Sequence, residues 1–221
     1  MHDNPIHTFF QLLTGQIGDQ LVLNAGLRWF TVILYWALLI GGIAIAVINW
    51  QRDPKQRSAH SVYMFSMRFV MAGLWYLGSF WKLPWPVSDG FKFWLEACVK
   101  YSSFQWHADF MQIFVDHIAV VQPLIYLLEV FFAVSLMLGF MVRVSGIIAA
   151  LFTFNLMIGL YNDPTEWPWT YVGIIFTELL LVVTNAGRSF GLDNLIARNL
   201  VRLPLPQGIA RRAVVWACSV A

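Results

Sequence analysis

Arg68, Glu129 and Glu178 stand inside long apolar runs, where hydrocarbon rather than water is expected around the chain. A formal charge in such a setting is costly unless it is paired, protonated or used, so each of these residues is read as a functional position. Two carboxyls against one guanidinium leave one negative charge over, which calls for a proton on one acid or for a further ligand. Proton transfer and hydrogen bonding to a buried polar ligand are the chemistry of such a set; a structural Arg–Glu clamp between helices is the alternative. Helical spacing adds neighbours to each charge. Arg68, Ala72, Trp75, Ser79 and Lys82 share one face, Gln122, Tyr126, Glu129 and Ala133 a second, and Tyr171, Glu178 and Asn185 a third, with Asn155 beside them. The candidate polar pocket is therefore Arg68, Trp75, Lys82, Tyr126, Glu129 and Glu178, and no metal is assigned to it.

The elements that must position these residues follow from composition. Of 221 residues, 59% are hydrophobic and 12% charged, with 11 Trp and 18 Phe, which is too apolar for an ordinary soluble domain. A crossing helix needs about 20 mostly apolar residues for a core of roughly 30 Å. Spans are expected near 29–50, 63–82, 119–141, 145–161 and 168–185, giving an all-α, polytopic transmembrane helix bundle of five spans. By helical rise, Glu129 and Glu178 both reach the midplane, and Arg68 enters less deeply from the other side. Gly41, Gly42, Gly73, Gly78, Gly139, Gly146 and Gly159 are expected to let helices approach closely.

Basic residues set the orientation. Arg52, Lys55 and Arg57 follow the first span, Arg143 separates the third from the fourth, and Arg188, Arg198, Arg202, Arg211 and Arg212 follow the last. These segments are assigned to the cytoplasm, with the N-terminus outside and the C-terminus inside. The net charge of +2 is small and dispersed, which excludes a nucleic-acid partner and leaves membrane lipids as the general one. Residues 1–28 lack the pattern of a cleaved signal peptide, and Phe9, Phe10, Leu12, Leu13 and Ile17 suit a short surface helix.

The segment 83–118 mixes Trp85, Phe91, Trp94, Tyr101, Phe104, Trp106 and Phe110 with acids, lysines and histidines, a pattern suited to the bilayer interface. Ser88 or Asp89 can cap a helix over 90–101, a second helix is expected from Ala108 towards Pro123, and Pro123 is expected to bend the chain into the third span. This loop is read either as a cover facing lipid or as a lid over a site that opens outward. Cys98 and Cys218 fall on opposite sides of the membrane in this topology and belong to no CxxC or Cys/His cluster, which argues against thiol redox chemistry and structural zinc. None of the five histidines lies well inside a span, which argues against a bis-histidine haem. His107, Asp109, Asp116 and His117 match no specific metal spacing. Nucleotide, zinc-hydrolase and serine-hydrolase motifs are not found.

Over about residues 64–195 the chain resembles the DoxX family. The run Arg68 to Gly73, followed by Gly78 and Lys82, is similar to that family's opening helix. Glu129 to Gly139, leading to Arg143, resembles its central helix and positive turn. Ala186, Gly187, Arg188, Ser189, Phe190, Gly191, Leu192 and Asp193 resemble its closing Gly-Ser-Leu-Asp signature, with Gly191 inserted. The resemblance implies a four-helix DoxX-like core over 61–195, preceded by an extension over 1–60 with its own helix and followed by a basic tail over 196–221. Arg68, Lys82, Glu129 and Gly187 match recurrent family positions. One branch, DoxD, is the small membrane subunit of a thiosulfate:quinone oxidoreductase, and other relatives are associated with redox maintenance, so the implied setting is a bacterial or archaeal cytoplasmic membrane.

Two functions follow as expectations. In the first, the chain is the membrane subunit of a quinone-linked oxidoreductase: Trp75 and Tyr126 flank a ring, Arg68 polarises a carbonyl, and Glu129 or Glu178 relays protons. No intrinsic cofactor is expected, quinone is the ligand, and another membrane or periplasmic subunit supplies the electrons. In the second, the chain is a non-catalytic accessory subunit that docks its first helix and aromatic loop on a larger respiratory or photosynthetic complex.

Overall fold

The computed structural model describes residues 25–79, 82, 86–199 and 216. The surface helix expected around Phe9 to Ile17, Trp85, Cys218 and the arginines at 202, 211 and 212 lie outside the described residues.

Among the described residues the chain forms eight α-helices and no strand: α1 Ala25–Arg52, α2 Ala59–Ser79, α3 Asp89–Lys100, α4 Gln105–Asp116, α5 Ile118–Leu138, α6 Val142–Gly159, α7 Pro168–Val183 and α8 Leu192–Asn199. Three stretches are both long and apolar enough to cross a membrane: Trp29–Arg52, Ile118–Leu138 and Val142–Gly159. The other two expected spans do not meet both conditions. α7 is apolar but only 16 residues long. α2 has 21 residues, but Arg68, His60 and its serines and tyrosines make it more polar.

Local chemistry explains where the helices stop. Ser88 caps α3, its hydroxyl accepting from Phe91 N at 3.3 Å, with Asp89 in the first turn where the helix dipole favours an acid. The break before α5 falls at His117, not at Pro123, which sits inside α5. Pro123 is past the first turn, so it removes the N–H that would bond Ala119 O while α5 continues through it. α5 closes on Gly139 in the left-handed region (φ +67°), with Phe140 N returning to Ser135 O at 2.9 Å. α7 opens with Pro168 at its first turn and ends before Asn185, also left-handed.

α2 packs on α5, and α6 on α7. The core joins Met71, Ala72, Trp75 and Tyr76 of α2 to Phe132, Ala133 and Leu136 of α5 and to Ala149 and Leu181. α1 leans on α5 at Gly41 and Gly42; a Cβ on Gly42 would lie 2.8 Å from Met137 O. α1 is also tied to α2, because the Tyr76 hydroxyl donates to Thr31 O at 2.5 Å. Gly146 lets α6 meet α7, since a Cβ there would come within 2.7 Å of Val182. Gly73 has open space around it and serves no such approach. α3 and α4 form a hairpin laid across one end of the bundle, with their own core of Phe91, Leu95, Cys98, Met111 and Leu160.

Candidate functional site: three polar layers and a cavity

The buried polar side chains separate into three layers along the bundle. Arg68, Glu129 and Glu178 fall in different layers, so the shared Arg–Glu cluster expected from the sequence does not form; each residue has a partner of another kind.

At the end opposite the α3–α4 hairpin, Arg68 is buried to 1% exposure and its Nη1 donates to Ala186 O at 3.0 Å. Its guanidinium lies 5.5 Å over the Phe65 ring, and the carboxylate whose charge acts on it is Asp193. Asp193 also receives the start of α6: its oxygens accept from Met141 N at 2.9 Å and Val142 N at 3.4 Å. Three glycines make the room. A Cβ would lie 2.2 Å from Arg68 Nη1 at Gly139, 2.0 Å from Asp193 Oδ2 at Gly187, and 2.1 Å from Gly187 O at Gly191. Met141, Asn185 and Phe190 hold positive φ in this same region, a conformation kept by non-glycine residues only where surrounding bonds dictate it. Phe190 N is fixed by Gln56 Oε1 at 2.8 Å.

α1 is fastened to this end as well. Asn49 Nδ2 donates to Gly191 O at 3.1 Å, and Asn194 Nδ2 donates to Asn49 Oδ1 at 2.8 Å and Asp53 Oδ2 at 3.1 Å. Burial works to raise the pKa of Asp53, but the bonds from Asn194 and Lys55 N and the charge of Arg198 outweigh it and hold the carboxyl below its usual value. The closing Gly-Ser-Leu-Asp run is thus a lock joining α1, α2, α5, α6 and α7.

In the middle layer, Trp75 Nε1 donates to Glu178 Oε1 at 2.6 Å. The indole packs edge-on to Phe132, with centroids 4.9 Å apart, and lies 5.8 Å from Phe152. Glu178 Oε2 and the neighbouring-helix Thr153 hydroxyl are buried without hydrogen-bond partners.

The third layer contains a cavity of about 220 Å³ under the α3–α4 hairpin. Lys82 and Glu129 line it and form a buried ion pair, the ammonium donating to Glu129 Oε1. Glu129 Oε2 is buried without a partner. Apolar walls come from α3, α4, α5 and α6, among them Trp94, Phe114, Ile125, Phe152 and Leu156. Tyr171 also lines the cavity and donates its hydroxyl to Glu166 Oε2 at 2.9 Å. Asn155 lines it too, held from behind by His107: His107 Nε2 lies 3.1 Å from Asn155 Oδ1, and its Nδ1 lies 2.9 Å from Ser102 Oγ. Cys98 is on the wall, but burial, reinforced by the charges of Asp163 and Glu166, pushes its thiol up to about 12, so it is held as an inert thiol.

Of the six candidate residues, only Lys82 and Glu129 face this cavity. Trp75 and Glu178 pair with each other in the layer beside it, Tyr126 is half-buried outside the lining, and Arg68 belongs to the lock at the other end. Asn155 joins the cavity wall rather than a transmembrane Arg–Glu network. Sequence reasoning missed Glu166 as Tyr171's partner, across the start of α7, and His107 as support for Asn155, a pairing of two separate helices that periodicity cannot align. His107 is buried, while Asp109 and Asp116 bond to Gln105 and Gln112, and no group of three or more metal-ligating side chains occurs among the described residues.

A helical bundle with spans of bilayer length, polar side chains paired across its interior and an apolar cavity with an ionic edge is a multi-helix membrane protein. A family model described as TQO small subunit DoxD matches residues 90–210, from α3 onward. The chain belongs to the DoxD family. The match leaves α1 and the helix bearing Arg68 outside it. Among curated proteins and among solved structures, none matches the chain.

Proposed function

We propose that the chain is the integral membrane subunit of a quinone-linked redox system of the thiosulfate:quinone oxidoreductase type, and that the cavity beside Lys82 and Glu129 receives the quinone ring. The carrying observation is the combination of aromatic and aliphatic walls with a buried ion pair in a space of about 220 Å³. A quinone is an apolar ring with polar atoms at its edge. Ligand sites of this kind are concave and mostly apolar, with a few placed polar groups. Quinone reduction couples two electrons to two protons, so an ionisable pair within reach of the ring has a task. The family description, naming a small subunit, supports a partner polypeptide as the source of electrons. In this reading α2 and α7 join the three long apolar helices as spans, the α3–α4 hairpin lies outside, and the C-terminal tail lies in the cytoplasm.

The test is thermal unfolding of the purified chain with a short-tailed 1,4-benzoquinone. A ligand at about 100 times its Kd stabilises the folded state by about 2.7 kcal/mol. An upward shift in Tm is expected, and Leu156→Trp, which fills the cavity without changing a charge, is expected to abolish it. No shift in the unaltered protein refutes the quinone reading.

A second reading, the accessory subunit, draws on α1. Trp29, Phe30, Ile33 and Trp36 are exposed along this helix, which lies outside the family match. Because Thr31 and Asn49 bind α1 into the bundle, the clean test is substitution of Trp29 and Trp36 by Leu rather than deletion of the helix. Loss of co-purifying subunits supports docking; retention rejects it.

A further inference from the structure

We propose that the groove between α1 and α2 is a binding site for one anionic phospholipid, with an acyl chain laid along the groove and the headgroup phosphate held at the basic turn that joins the two helices. Both helices lie outside the family match, and the site does not depend on the quinone reading.

The groove has a volume of about 310 Å³. Ile43, Val47 and Trp50 line it from α1, one helical turn apart, and Val62 and Phe65 line it from α2. Phe190 is wedged between the two helices, its ring 5.9 Å from Trp50 on one side and 5.9 Å from Phe65 on the other. This wedge, held in the left-handed region and fixed by Gln56, keeps two consecutive helices from closing on each other. Ile43, Val47, Trp50 and Val62 are left exposed, and α1 rises about 10 Å from Ile43 to Trp50, so the groove is a trough long enough to seat part of an acyl chain.

The end of the trough sets it apart from ordinary lipid-facing surface. The apolar stretch Trp29–Arg52 finishes there, which puts Trp50 at headgroup depth. Arg57 lies over the Trp50 ring at 5.8 Å, and its Nε donates to Trp50 O at 3.0 Å. That bond fixes the guanidinium at the mouth and leaves both terminal nitrogens to donate to a phosphate, the group whose geometry the arginine fork matches. Arg52 and Lys55 are exposed in the same turn of chain. Asp53, the acid among them, is engaged by Asn194 and Arg198. Basic pockets between membrane helices bind anionic headgroups. A choline headgroup fits less well, because its quaternary ammonium would meet Arg52, Lys55 and Arg57, and the Trp50 ring that could attract it already carries Arg57.

The experiment is native mass spectrometry of the purified full chain, delipidated in detergent and offered an equimolar mixture of phosphatidylglycerol and phosphatidylcholine with identical acyl chains. The first lipid retained is expected to be phosphatidylglycerol about ten times as often, the scale of one or two basic side chains at a headgroup. Arg57→Gln should bring that preference down to about twofold. Val47→Trp, which fills the trough and alters no charge, should abolish retention of the first lipid. Lys92→Gln, which removes an exposed base from α3 at the other end of the bundle, should leave the preference as it was. Equal retention of the two lipids, a preference unmoved by Arg57→Gln or lowered as much by Lys92→Gln, or a lipid still held by Val47→Trp overturns the inference. Displacement of the lipid by inorganic phosphate overturns it too, by making the basic turn a free-anion site. So does loss of a co-purifying polypeptide in Val47→Trp with lipid retention unchanged, which makes the groove a protein interface.

Discussion

Asp193→Asn is expected to destabilise the protein by about 1–3 kcal/mol, the scale of hydrogen bonds made to a charged acceptor and of the loss of a nearby countercharge. The figure follows from what the carboxylate does. It accepts from Met141 N at 2.9 Å and Val142 N at 3.4 Å at the start of α6, and it is the countercharge of Arg68, itself 1% exposed. Asparagine is a good helix cap and retains an accepting oxygen, so little of the roughly 0.5–2 kcal/mol cap contribution is lost. What disappears is the charge, leaving a guanidinium between Gly139, Gly191 and Ala186 with no compensation. Relaxation is restricted, because the Cβ position of Gly187 is only 2.0 Å from Asp193 Oδ2. Denaturant unfolding of the detergent-solubilised protein, followed by circular dichroism, measures the loss. Arg68→Met in the same background completes a double-variant cycle, and the combined loss should be smaller than the sum by about 1–3 kcal/mol. A loss under about 0.5 kcal/mol, or strict additivity of the two changes, refutes the pairing argument.

Trp75→Phe keeps the ring packing against Phe132 but removes the donor to Glu178, so a loss of about 1–3 kcal/mol is expected, and Glu178→Leu in the same background should recover part of it. Unfolding midpoints of the two variants check this; an unchanged midpoint for Trp75→Phe shows that the bond contributes nothing. Cys98, 2% exposed, should resist maleimide in the folded protein and react after denaturation, and rapid labelling of the folded protein contradicts its placement. The unfolded chain releases this thiol proton near pH 9.0, whereas the folded protein holds it to about 12. Between those values the unfolded state binds fewer protons, so the contribution of Cys98 to stability falls as pH rises, and Cys98→Ala should flatten that part of the stability profile.

Helices were the most legible part of the fold. Apolar length and helical period located α1, α5, α6 and α7 to within a few residues, because both signals are local and the hydrocarbon demands them. The Ser88 cap was equally local. The break expected at Pro123 falls earlier, at His117, and α5 runs on through the proline, because the turn out of α4 is already made before it. A second expectation that failed was the common Arg–Glu cluster. Depth along separate helices does not fix rotation or neighbour order, so residues at similar depth were joined that the packing keeps apart.

The sequence by itself determined that this chain forms apolar helices with ionisable residues inside them, since composition and periodicity act through each residue and its near neighbours. It also held the DoxX-like closing run, whose glycines and Asp193 can be read letter by letter. Only the tertiary structure decided who meets whom: Lys82 with Glu129, Trp75 with Glu178, and Arg68 with Ala186 and the charge of Asp193. Those pairings depend on how helices distant in sequence rotate and cross, which is set by small residues such as Gly42, Gly139 and Gly146 at the contacts and by the hairpin that roofs the cavity.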